Sequence, residues 1–255
     1  MAGGLFDLTG KVALVTGGNG GIGKAIGVAL ASAGANIAVA ARNRDKTSQA
    51  VQEIQVAGGK ALGLSCDVTS RDDVEAAVSA SVEQFGGLDI LVNNSGTTVR
   101  EFPQNLADED WQRVLDVNLT GTFLGARAAY PSLKARGAGK IINVGSMLSI
   151  FGNEYASAYA ASKGGVVQFT RSCAVAWAQD NIQVNAILPG WITTDMTAGL
   201  IEKFPERYQM IVDRTPTGRW GVPDDVAGTA VFLASRASDF VTGVSIPVDG
   251  GYSVK

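Results

Sequence analysis

Short apolar runs alternate along this chain with stretches whose apolar residues recur every three or four positions. The run 11–16 reads as a buried strand, and Ile22, Ala25, Ile26, Ala29, Leu30 and Ala33 then fall at helical spacing. Further strand-like runs lie at 36–41, 61–66, 88–92, 140–144, 183–188 and 244–248. Helical patterns lie between several of them. Val74, Ala77, Val78, Ser81, Val82 and Phe85 mark one. A long one spans 110–133, another runs from Tyr159 through Val166, Phe169, Cys173 and Trp177, and one covers 226–234. Pro247, within the last run, predicts an edge strand, where a missing N–H is tolerated.

Strands alternating with helices predict right-handed βαβ units and an α/β fold. The expected architecture is one domain over 1–255, a doubly wound parallel seven-stranded sheet with helices on both faces. The pattern is weakest from Pro189 to Asp224, where only a short helix near 198–204 suggests itself. A long irregular segment in a compact domain reads as a lid, placed here at 190–223.

Composition narrows the chemistry. Of 255 residues 46% are hydrophobic and 18% charged, enough apolar material for a large core. The net charge of −3 and the lack of a basic block argue against a nucleic-acid surface. No apolar run reaches the ~20 residues that span a bilayer. The first ten residues lack the basic and apolar regions of a signal peptide, so the expected location is cytoplasmic. The two cysteines, Cys66 and Cys173, are expected to be buried free thiols. There is no histidine, which removes Ser-His-Asp nucleophile systems and histidine-ligated zinc. No metal site is visible, and proton chemistry must come from Tyr, Lys, Asp or Glu.

Tyr159 and Lys163 are one helical turn apart on the same face. A phenol has a pKa of ~10, and a nearby ammonium lowers it, so the pair reads as a tuned proton donor. Upstream, Gly17-Gly18-Asn19-Gly20-Gly21-Ile22-Gly23 joins the first strand to the first helix. Glycines allow a tight turn and close approach to a pyrophosphate, which the helix N-terminus favours. A nicotinamide-dinucleotide fold of this kind usually ends its second strand with an acid for the ribose 2′-hydroxyl. Here Ala41 is followed by Arg42-Asn43-Arg44, a base where the acid would stand. That choice predicts NADP(H) rather than NAD(H).

Thr16-Gly-x-x-x-Gly-Ile-Gly23 resembles the cofactor motif of the short-chain dehydrogenase/reductase family. Asn93-Asn94-Ser95-Gly96, Ser146, Tyr159-x-x-x-Lys163 and Pro189-Gly190 follow in that family's order, over roughly residues 8–252. The resemblance implies a catalytic set of Asn118, Ser146, Tyr159 and Lys163. Tyr159 would exchange a proton with the substrate oxygen, Ser146 would orient that oxygen, and Lys163 would also hold the nicotinamide ribose. Asn118 would hold a water linking Lys163 to solvent. For the cofactor it implies Gly17, Asn19, Gly21, Ile22, Gly23, Arg42, Asn43, Asn94, Ser95, Gly96, Tyr159 and Lys163. It adds Asp67 and Val68 at the adenine, and Pro189, Gly190, Ile192 and Thr194 at the nicotinamide. Homotetramers are common in the family, with long helices and the last strand at the interfaces.

Substrate choice is expected from 97–102, 147–155 and the lid. These mix Met147, Leu148, Phe151, Trp191 and Met196 with Arg100, Asn153 and Thr193. Ser146-Met147-Leu148-Ser149, with the run 213–221, resembles the sugar-acid branch, which includes gluconate 5-dehydrogenases and 2-dehydro-3-deoxy-gluconate 5-dehydrogenases. Arg100 is a candidate partner for a substrate carboxylate. A 3-oxoacyl-[acyl-carrier-protein] reductase, a generalist carbonyl reductase and a non-catalytic nucleotide sensor are the alternatives.

Overall fold

In the computed structural model, which describes residues 4–255, β1 (Val12–Thr16) is buried along its whole length. Its alternate residues serve opposite faces. Ala13 and Val15 pack into one core with Ile26, Leu30, Ile54, Val226 and Leu233. Val12 and Leu14 pack into the other with Val74, Val78, Leu124, Leu133 and Cys173. A strand apolar on both sides can sit only in a covered parallel sheet.

The remaining strands are β2 (Asn36–Ala41), β3 (Ala61–Ser65), β4 (Ile90–Asn93), β5 (Gly139–Val144), β6 (Ile182–Pro189) and β7 (Ser245–Val248). They form one parallel seven-stranded sheet in the order β3-β2-β1-β4-β5-β6-β7. The order reverses between β1 and β4, and ligand crevices open at the carboxyl ends of strands on either side of such a switch. Pro247 lies on β7, at the edge beside β6, as its missing N–H requires. Residues 1–3 of the expected domain lie outside the described residues.

The helices are α1 (Gly21–Ser32), α2 (Arg44–Val56), α3 (Arg71–Phe85), α4 (Asp108–Leu115), α5 (Gly121–Ala135), α6 (Ser157–Trp177), α7 (Asp195–Lys203), α8 (Pro205–Arg214) and α9 (Pro223–Ala234). Three differ from the sequence reading. Helix α2 escaped it because only Thr47, Ala50 and Ile54 are buried, a thin apolar stripe. The helix expected over 110–133 starts at Asp108, ends at Ala135 and is interrupted by a π-helical turn at Asp116–Thr120. The segment expected to be a lid holds the short helix anticipated near 198–204, as α7, and a second helix, α8, that was not expected. Pro205 breaks it in two and starts α8, a position that suits a residue without an N–H. Leu200, Ile211 and Trp220 give the lid its own small core, and Thr193 N–H and Gly221 N–H close its base by pairing with Gly221 and Trp191 carbonyls.

Cys66 and Cys173 are free and buried, and burial pushes both thiols up to about 11.

Candidate active site

A single cavity of about 620 Å³ runs across the carboxyl ends of the central strands. Its first wall is the turn after β1. Gly17 and Gly21 hold positive φ of 62° and 49°, a region that favours glycine. A Cβ on Gly21 would come 3.2 Å from Thr194, the residue that opens α7. Gly23 does not line the cavity. A Cβ there would lie 2.4 Å from the Gly17 carbonyl, so this glycine lets α1 close against its own turn. Asn94 lines the cavity, but its side-chain amide is engaged locally. Its amide donates to the carbonyls of Thr16 and Gly17 at 3.2 and 3.1 Å and ties the end of β4 to the turn.

At the cavity's far rim stand Arg42, Asn43 and Lys46. Arg42 is 77% exposed, with Asp67 as a distant partner at 3.9 Å. Asn43 caps α2 by accepting from Lys46 N–H at 2.9 Å, and Asn19 donates to the Asn43 carbonyl at 3.3 Å. Lys46 bridges to Asp195 on the lid at 2.7 Å, a contact no sequence pattern indicated. Asp67, Val68, Ser95, Gly96, Pro189, Gly190, Ile192 and Thr194 complete this wall.

The other end gathers Ser146, Tyr159 and Lys163. Ser146 follows β5 and accepts from Leu148 N–H at 3.1 Å. Ser149 accepts from Ser146 N–H at 3.2 Å and donates to the Lys163 carbonyl at 2.9 Å, fixing this loop to α6. Burial raises the Tyr159 phenol above its ordinary value, and a hydrogen bond with the Ser146 side chain opposes that rise. Lys163 is buried at 4% exposure, and burial lowers its ammonium to about 8. Its Nζ donates to the Val144 carbonyl at 2.7 Å and sits 5.7 Å from the Tyr159 ring centroid. The phenol-lowering expected of Lys163 is therefore not the governing effect here. Desolvation dominates, and Ser146 supplies the counterweight.

Asn118 is fully buried in the π-helical turn and stands outside the cavity lining. Its Oδ1 accepts from Thr97 N–H at 2.8 Å, and its Nδ2 donates to the Thr97 carbonyl at 3.0 Å and to Ser162 Oγ at 2.9 Å. Ser162 Oγ in turn donates to the Tyr159 carbonyl at 2.8 Å. Asn118 thus couples the strap after β4 to the first turns of α6. The supporting roles of Ser149, read in the sequence only as part of a motif, and of Ser162 were missed at sequence level, since a serine in or beside a helix carries no distinguishing spacing.

The expected substrate segments converge beside Tyr159. Thr97, Thr98, Arg100, Met147, Leu148, Asn153, Tyr155, Trp191 and Met196 line the cavity there, joined by Arg207 from α8 and by Tyr252. Phe151 instead packs on the Tyr252 ring, and Thr193 is used in the base of the lid.

The short-chain dehydrogenase/reductase model described as Enoyl-(Acyl carrier protein) reductase matches residues 17–253. A 2-dehydro-3-deoxy-D-gluconate 5-dehydrogenase of Formosa agariphila is 42% identical over 97% of this chain and 94% of its own. A 5-keto-D-gluconate 5-reductase of Escherichia coli is 39% identical over 98% of each chain. A solved structure from Agrobacterium tumefaciens, designated provisionally as a 2-deoxy-D-gluconate 3-dehydrogenase and holding NADP, superposes with a TM-score of 0.91. It is 40% identical and covers 99% of this chain and 100% of its own. With its sheet order, its glycine turn and these relatives over nearly the whole length, the chain belongs to the short-chain dehydrogenase/reductase family.

Proposed function

We propose that this protein is an NADP(H)-dependent oxidoreductase that interconverts a secondary alcohol and a ketone on a sugar acid. The observation that carries the reading is the convergence of Ser146, Tyr159 and Lys163 at one end of a cavity whose other end is the glycine turn with Arg42. The cofactor fits this cavity. Gly17 and Gly21 present backbone without side chains beside the N-terminus of α1, where a pyrophosphate is favoured. Ala41 leaves no carboxylate to repel a 2′-phosphate, and exposed Arg42 stands ready to pair with one. Asp67 and Val68 would flank the adenine, and Ile192 and Thr194 the nicotinamide.

When bound, NADP(H) supplies or takes up the hydride. The chain's own residues handle the proton. Tyr159 Oη gives its proton to the ketone oxygen during reduction and receives one during oxidation. The Ser146 hydroxyl donates to the same oxygen and fixes its direction. The Lys163 ammonium, released from the Val144 carbonyl, would hold the ribose hydroxyls and favour the phenolate. Asn118 keeps the strap and α6 in register around them. Sugar-acid relatives, and Arg100 among the residues lining the substrate end of the cavity, support the substrate class.

A cytoplasmic homotetramer is part of the proposal. Among the described residues no helix is long and apolar enough to cross a membrane. Trp111, Phe123 and Val175, on α4, α5 and α6, are exposed apolar groups suited to subunit contact.

NADPH consumption with keto sugar acids, neutral ketones and an acetoacetyl thioester tests the function. Keto sugar acids are expected to be reduced fastest; a preference for the thioester would replace the reading with a carrier-protein reductase, and no consumption at all would favour a sensor. Tyr159→Phe should abolish turnover with cofactor affinity nearly intact, and more than a few per cent residual activity would remove Tyr159 from the proton-transfer role.

A further inference from the structure

The substrate end of the cavity holds charges that proton transfer does not use. Arg100 comes from the strap after β4 and Arg207 from α8 on the lid, and both line it. Burial disfavours the charged form of Arg100, and the Arg207 charge adds to that effect. Neither guanidinium forms an ion pair with a carboxylate among the described residues. Glu101, next to Arg100, accepts from Phe102 N–H instead. The two carboxylates lining the cavity, Asp67 and Asp195, face Arg42 and Lys46 at its other end.

The two arginines are nonetheless positioned. Arg207 lies over the Tyr155 ring at 5.2 Å, and Tyr155 packs on Phe102 with ring centroids 4.5 Å apart. Glu101 N–H donates to the Tyr155 carbonyl at 3.0 Å, so strap and Tyr155 move as a unit. Like charges from two separate elements, exposed Arg100 and half-buried Arg207, line the same end of the cavity, and among the described residues no acid lines that end. Such an arrangement is unfavourable until an anion enters.

We propose that Arg207 completes a two-arginine clamp on the substrate carboxylate, with its stacking on Tyr155 already placing α8 beside the strap. The inference rests on the sugar-acid reading and gives it a lid-borne specificity residue. The second guanidinium gives the acid a second charged partner that a neutral ketone of the same size does not engage.

Arg207→Gln tests this, with Arg214→Gln as a control that removes a neighbouring α8 arginine, one that stacks on Tyr252 instead. With NADP+, the probes are gluconate and sorbitol, its neutral counterpart. Arg207→Gln is expected to raise KM for gluconate by about 10- to 100-fold and to shrink the preference for gluconate over sorbitol by a similar factor. Arg214→Gln should keep the wild-type discrimination. A second readout is tryptophan emission of Trp191 and Trp220, titrated with gluconate in the presence of NADPH so that no turnover occurs. The wild type should respond with saturation, and Arg207→Gln only at far higher concentration. Unchanged acid preference in Arg207→Gln overturns the clamp, as does tighter competition by inorganic phosphate than by gluconate. If the wild type turned over only neutral ketones, the sugar-acid reading would fail. The emission titration would then decide the clamp separately, a missing gluconate response overturning it.

Discussion

Lys163 shows at the scale of one residue how the site strains the fold. Its ammonium is nine-tenths or more buried, has a carbonyl but no carboxylate beside it, and is lowered to about 8 from 10.5. A lysine whose folded pKa lies below its unfolded value makes the folded state bind fewer protons. Stability from this group therefore rises as pH climbs from about 8 to 10.5 and is lacking below about 8. Lys163→Met removes the buried charge, along with a single hydrogen bond to Val144. Near neutral pH the cofactor-free variant should be more stable than the wild type by on the order of 2 kcal/mol, while being inactive. The difference should vanish above the unfolded lysine's pKa. Urea unfolding at neutral and alkaline pH measures both, and a variant less stable at neutral pH would show that the charge is compensated. The lysine's place in the site was legible from its spacing to Tyr159. Its protonation behaviour was not, because burial by β5 and the strap has no local signature.

At the scale of elements, the π-helical turn at Asp116–Thr120 turns a plain helix pair into a support for catalysis. It directs the Asn118 side chain to both edges of the Thr97 peptide and to Ser162. Asn118→Ala removes the partners of the half-buried Thr97 N–H and C=O and the bond to buried Ser162, and should lower stability by about 2–4 kcal/mol. Hydrogen exchange gives the specific readout. Uptake should rise at Thr97 and along the strap to Glu101 by more than the general increase that lower global stability gives β1. A rise there no larger than that of β1 would mean that the strap is held by its pairing with Tyr155 instead. Such a turn could not be read from periodicity, since 110–133 keeps its apolar spacing through the interruption. The strands were readable for the opposite reason. Central strands buried on both faces are uninterrupted apolar runs, whereas α2 and α8 bury few residues and leave a faint trace. Gly23 and Asn94 carry a related lesson. Both belong to recognisable motifs, yet Gly23 stays out of the cavity to permit helix packing, and Asn94, which lines it, spends its side-chain amide tying the end of β4 to the glycine turn.

The whole molecule carries a net charge of −3, but its cavity is bounded by cations at both ends. Arg42 and Lys46 stand at the rim near β2, and Arg100 and Arg207 near the lid, with Lys163 between. This distribution suits a long ligand pair that is anionic at both extremities, a 2′-phosphate at one end and a carboxylate at the other. Arg42 is the group whose loss isolates the first of these. It is exposed, its partner Asp67 is 3.9 Å away, and nothing in the core depends on it. Arg42→Ala should weaken NADPH binding by about tenfold or more, from loss of a charge-assisted hydrogen bond. NADH binding should change by less than about twofold, since no phosphate faces Arg42 in that cofactor. Salt should act in parallel: because the pair is exposed, raising ionic strength should weaken NADPH more than NADH in the wild type and lose most of that difference in the variant. Calorimetric titration of both cofactors into both proteins measures these shifts. Equal losses for the two cofactors would place Arg42 at the shared pyrophosphate or in the fold, and would leave Lys46, drawn from its contact with Asp195, as the group that reads the phosphate.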